Sequence, residues 1–133
     1  MVINWPDQYD RTASKDRRSY PHNFRVGTTE AFKNILTEVN RMSGVTAVRI
    51  DTAVDHQSEQ PNIPQEGSNP DDPGVVVRFN RNGEQYIVPC DRWSSLRDNA
   101  QAIARYIEAK RALDRYGVET LESEFGVQKA RVD

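Results

Sequence analysis

The segment Val88-Pro89-Cys90-Asp91-Arg92-Trp93 sets the chain's single cysteine beside a carboxylate, a guanidinium and an indole. A nucleophilic cysteine needs a depressed pKa, supplied by a cation, a base or a helix N-terminus. Cys90 has Arg92 two residues on and a helix start close behind. Cysteine catalysis also recruits a histidine, and the two histidines, His22 and His56, fall in an irregular N-terminal segment and a long loop. Cys90 therefore reads as a structural residue, and no catalytic residue is assigned. Asp91 reads as a cap or turn residue at a strand-to-helix joint, and Trp93 as a cover over the core. Arg92 either pairs with Asp91 or Asp98 or points outward toward a ligand.

Two distant histidines and one cysteine have no metal-ligand spacing. The stretch "DTAVDHQSE", residues 51–59, lacks the glycine and terminal glutamate of a calcium loop. A metal-dependent nuclease core would need a charge-stabilising lysine where Glu84-Gln85-Tyr86 stands. No metal and no cofactor is expected.

The basic residues are the remaining candidates. Arg11, Lys15, Arg17 and Arg18 cluster near Tyr9 and Tyr20. Arg97, Gln101, Arg105, Glu108, Arg111 and Arg115 recur at steps of three or four, which places them on one stripe of a helix. One reading is a solvated face laced by ion pairs. The other is phosphate contact by Arg11, Lys15, Arg17, Arg18, Arg92, Arg97, Arg105 and Arg111. Net charge is −2 over 133 residues, yet residues 51–73 hold six carboxylates and no lysine or arginine, so the remainder carries +4. A near-neutral total is compatible with a basic face.

These residues need elements to hold them. "TTEAFKNILTEVNRMSG" from residue 28 carries Ala31, Phe32, Ile35, Leu36, Val39 and Met42 on one helical face, with Thr28 or Thr29 as cap and Gly44 as terminator. "VTAVRI", 45–50, is β-branched and reads as a strand. "VVVRF" and "EQYIVP" flank Asn82-Gly83, the preferred pair of a tight hairpin turn. A long helix from about Ser95 is capped by Ser95 with Asp98, and buries Leu96, Ala100, Ile103 and Ile107, with Leu113 as a candidate extension.

One domain of 133 residues is expected, with an irregular arm over 1–27, a mobile acidic loop over 51–74 and a tail over 118–133. "VETLESEF" in that tail suits a short further helix, and the last residues suit fraying. The loop holds four prolines and little apolar content, too little to offset the entropy of ordering. The fold class is α+β: a small three-stranded, mainly antiparallel sheet, two helices packed on one face, and the acidic loop between strands 1 and 2. Phe32, Ile35, Leu36, Val39, Val48, Ile50, Val75, Val77, Tyr86, Val88, Leu96, Ile103 and Ile107 are the expected core. With no apolar run approaching a membrane span and no secretory signal at its start, the chain reads as intracellular, with no membrane partner.

Trp5-Pro6 with Arg11-Thr12, Asp72-Pro73-Gly74-Val75, Cys90-Asp91-Arg92-Trp93, Asp98-Asn99, Ala102-Ile103, Ile107 to Arg111 and Arg115-Tyr116-Gly117-Val118 occur in this order. As a set they resemble an uncharacterised prokaryotic and viral family whose members often carry a C-terminal J domain. "YPHNFRV" and "NPDDPGVVV" are most similar to members from haloarchaea and their viruses or mobile elements. No J domain is expected here, since 16 residues follow Gly117 in the sequence and no His-Pro-Asp occurs. The resemblance implies an accessory role in genome maintenance or host interaction; the expected location is cytoplasmic, or a virion if the chain is viral.

The leading expectation is a non-enzymatic accessory or binding protein of a mobile element or virus, contacting nucleic acid or a replication partner. The alternative is a protein-binding or structural role, through self-association or in a virion, without nucleic-acid contact. An enzyme using Cys90, Asp91 and Arg92 ranks third.

Overall fold

The computed structural model describes residues 2–21, 24–115 and 128–129. Helix α1 spans Thr28–Asn40, strand β1 Val45–Asp51, β2 Val75–Arg81, β3 Glu84–Cys90, helix α2 Leu96–Arg115, and a two-residue strand β4 Gln128–Lys129. The sheet runs β1-β2-β3-β4 with antiparallel neighbours. The expected α+β class and three-stranded sheet are what the chain forms. The short β4 against Tyr86 and Ile87 is an addition from the segment read as a tail. The helix expected at 118–125 lies outside the described residues.

Strand side chains alternate between faces, and β2 shows what that requires here. Val75, Val77 and Phe79 point into the main core with Val88, where Phe32, Ile35 and Val39 of α1 meet Leu96, Ile103 and Ile107 of α2. Val76, between them, is also fully buried. It packs with Ile87 and Ile3 in a second cluster, flanked by Trp5, Tyr9 and Ala53. The two helices thus cover one face, as expected, and the N-terminal arm covers part of the other. Of the expected core, Leu36, Val48 and Tyr86 are only partly buried, while Phe79 and Ile63 join it. Leu113 is 38% exposed and extends nothing.

The Asn82-Gly83 turn forms as the dipeptide dictates, with φ of 53° and 83° and a register that pairs Arg81 with Glu84. The threonine cap of α1 does not form. Gly27 occupies the N-cap without a side-chain hydrogen bond, and Thr28 is already helical. Gly44 lies beyond the helix end, at φ 75°, and a Cβ there would come within 2.3 Å of Asn82 Oδ1. Its place is the contact between the α1–β1 turn and the hairpin tip. For α2, Ser95 Oγ accepts the Asp98 amide at 3.1 Å. The other half of the box is replaced, because the Asp98 carboxylate accepts from Arg97 and the Tyr20 amide.

The acidic loop has a packing role that its composition concealed. Ile63 is 1% exposed and belongs to the main core. Gln57 N donates to Ile63 O at 2.8 Å and Gln65 N to Asp55 O at 3.0 Å, closing a narrow excursion. Buried Ile63 and Pro64 and a few internal hydrogen bonds hold the segment against the body of the fold.

Candidate functional site

The arm and the joint between β3 and α2 converge on Asp91, which is 5% exposed. Its Oδ2 accepts from Arg11 Nε at 2.8 Å, the Thr12 amide at 2.9 Å and Arg17 Nη2 at 3.2 Å, while its carbonyl accepts from Arg17 Nε at 3.0 Å. Arg11 also reaches Asp72, at the end of the acidic loop, and lies 4.4 Å over the Trp5 ring. Asp72 in turn accepts the Gly74 amide at 3.1 Å. A Cβ on Gly74 would sit within 3.3 Å of the Asp72 carboxylate, Arg11 and Ile3, so any side chain there would have to push these groups aside by a few tenths of an ångström. Burial by itself would raise the Asp91 and Asp72 carboxyls. The hydrogen bonds they receive, first from Arg11, outweigh it and hold both below the ordinary carboxylate range.

Asn99, fully buried, is the second hub. Its Nδ2 donates to Pro73 O at 2.8 Å and Trp93 O at 2.9 Å, and its Oδ1 accepts Trp93 N at 2.9 Å and the Cys90 thiol at 3.3 Å. Every donor and acceptor of the amide is used. The segments quoted for the family resemblance, from Trp5 to Asn99, therefore meet in one polar latch. It ties arm, loop end, hairpin and helix start together, in keeping with a stabilising role for these residues.

Cys90 belongs to that latch. Burial, foremost, pushes its thiol above the ordinary value, the reverse of what a nucleophile needs. A cleft of 640 Å³ between β1 and the loop is lined by Asp51, Thr52, Asp55, His56 and Asn62. His56 Nδ1 donates to Pro61 O at 2.6 Å, and its Nε2 lies 2.7 Å from Thr52 Oγ1. Thr52 is 6% exposed and its hydroxyl also accepts the Val54 amide. The pair pins the loop.

The eight cationic residues singled out in the sequence separate into two sets. Arg11 and Arg17 are taken up by Asp91 and Asp72. Arg111, read as a solvent-face residue, instead reaches Glu38 of α1 at 3.2 Å with a side chain 19% exposed. Gln101 of the same stripe is buried against Asn34. The stripe turns inward because α1 packs along it. One continuous surface through all eight does not form. Arg105 is exposed but lies well along α2, within 3.5 Å of Glu108.

What remains outward is Lys15, Arg18 and Arg92, all exposed, and Arg97, half-buried with its Nε on Asp98. Arg18 and Trp93 form a β-bridge and Ser94 N donates to Arg18 O at 2.9 Å, so the arm does fold back beside the start of α2. Exposed Arg25 follows Phe24 on the same arm. Sequence reasoning missed Arg25 and Phe24; their signal was the spacing of aromatic and basic residues in "YPHNFRV", with His22 itself outside the described residues. Phe24 stacks on Tyr20, centroids 4.1 Å apart and planes within 7°, and Trp93 meets Tyr20 edge-on at 4.9 Å. Arg92 lies 5.6 Å over the Trp93 ring.

No protein-family model, curated protein or solved structure matches the chain. The family resemblance rests on the quoted motifs alone. Among the described residues, no three or more His, Cys, Asp and Glu side chains are grouped to hold a metal ion, and no helix is long and apolar enough to cross a membrane.

Proposed function

We propose that the protein is a binding module that contacts nucleic acid through the cationic face where the arm lies against the start of α2. The observation that carries this reading is the split among the cations. Nearby carboxylates are engaged internally, Asp91 by Arg11 and Arg17 and Asp98 by Arg97 and Tyr20 N. Arg18, Arg25, Arg92 and Lys15 stay exposed, and so do the arm's acids Asp7, Asp10 and Asp16. Such a surface attracts phosphate and gives binding that weakens steeply with salt. The role as accessory protein of a mobile element or virus belongs to the same proposal and rests on the resemblance.

Self-association, the alternative, is disfavoured along one edge of the sheet. β1 forms that edge. It is interrupted by a bulge between Thr46 and Arg49, with Ala47 at φ 55°. The Asn62 side chain then accepts Ile50 N at 2.9 Å and donates to Val48 O at 3.2 Å. It occupies the groups an added strand would use.

The test is a salt titration of binding to single- and double-stranded DNA and RNA. Arg18→Ala with Arg92→Ala should weaken binding to all sequences and lower the salt slope by about two charges, leaving the melting temperature near wild type. Absence of binding to every probe at low salt rejects the proposal.

A further inference from the structure

We infer, resting on the nucleic-acid reading above, that the ligand of this face is single-stranded, with unpaired bases stacking on the aromatic cluster of Tyr20, Phe24 and Trp93. The cluster is absent from both apolar cores, although all three rings are large enough to anchor one. Each residue is half-buried, neither sealed in a core nor fully exposed. Arg18 bridges to Trp93, Arg92 lies over its ring and Arg25 follows Phe24. Cations are thereby interleaved with stacking surfaces at the spacing of neighbouring residues. A phosphate-only site has no use for an aromatic cluster outside the cores. In a duplex the base faces are already stacked on one another, so only phosphates and groove edges remain to be touched. A single strand presents both the phosphates and the π-faces, and aromatic platforms lined with arginine bind it with little sequence preference.

The experiment uses the full chain and three labelled probes at low salt: a thymidine oligonucleotide of about 12 nucleotides, an abasic oligonucleotide of the same length, and a duplex. The abasic probe carries the phosphates without bases, so the comparison does not depend on any variant folding. The thymidine strand should bind tightest. Trp93→Ala and Phe24→Ala should each weaken it roughly 5- to 150-fold, toward the abasic level, and leave duplex binding unchanged. Trp93→Ala keeps the backbone groups that Asn99 holds. Equal binding of all three probes by the wild-type chain overturns the inference and leaves the cationic face as a phosphate site. Loss of duplex and single-strand binding alike in both variants, with unchanged melting, also overturns it. No binding of any probe removes the inference together with the reading beneath it.

Discussion

Arg11 Nε donates to Asp91 Oδ2 at 2.8 Å across 80 positions of sequence. This contact joins the arm to the hairpin–helix joint. It acts with Arg17, whose side chain is 10% exposed and pairs with the same carboxylate at 3.2 Å. Four charges share the site, since Asp72 lies on the other side of Arg11. An ion pair this sheltered is costly to break singly, because removing one partner leaves the other desolvated and unmatched.

Asp91→Ala should therefore destabilise the fold by about 3 kcal/mol. The loss should appear with early proteolysis inside residues 2–21, since the arm loses its anchor. Denaturant unfolding and limited digestion measure both. A stable variant with a protected arm would assign the anchoring to Ile3 and Trp5 instead.

The same carboxylates set an acid limit. Asp91 and Asp72 titrate below their ordinary value in the folded chain, and near ~3.9 when unfolded. Between those values the unfolded chain binds more protons, so stability rises with pH there. The contribution is complete above the unfolded value and lost as pH falls through the folded one. Melting temperatures between pH 7 and pH 3 should drop below about pH 4, and less steeply in Asp91→Asn. Parallel curves for the two proteins would show that other carboxylates set the acid limit.

Asn99→Ala should cost at least ~2 kcal/mol, as it leaves Trp93 N–H and Pro73 C=O without their buried partner. Asn99→Asp is a sharper probe. It keeps the acceptor for Trp93 N and Cys90 but turns a carboxylate toward two carbonyls that now receive a donor. It should be at least as destabilising as alanine above pH 5, with partial recovery on acidification.

Cys90 should label slowly. Burial raises its thiol pKa, so little thiolate exists near neutrality. A thiol reagent should react rapidly only after unfolding. Cys90→Ser retains a donor toward Asn99 Oδ1 and should leave nucleic-acid binding intact. Fast labelling of the native chain would reopen this joint as a reactive site.

Asn62→Ala should uncover the edge of β1 by freeing Ile50 N–H and Val48 C=O. Exposed strand edges pair with one another, so size-exclusion chromatography should show concentration-dependent association absent from the wild type. A monodisperse variant would mean that the bulge at Ala47 suffices to block the edge.

Local signals in the sequence determined the elements. Asn82-Gly83 dictated the hairpin because both residues tolerate positive φ, and Ser95 with Asp98 marked the start of α2. Helical spacing found most of the main core, since burial on one helix face follows directly from periodicity. Tertiary structure decided what those signals do not encode. Asn62 on the loop and Arg11 in the arm act on groups 12 to 80 positions away, and such pairings leave no periodic trace. An arginine aimed at phosphate and one aimed at a buried carboxylate look alike in sequence. Arg17 turned inward and Arg18 outward only because Asp91 lies beneath the one and the strand-like pairing with Trp93 aims the other toward solvent.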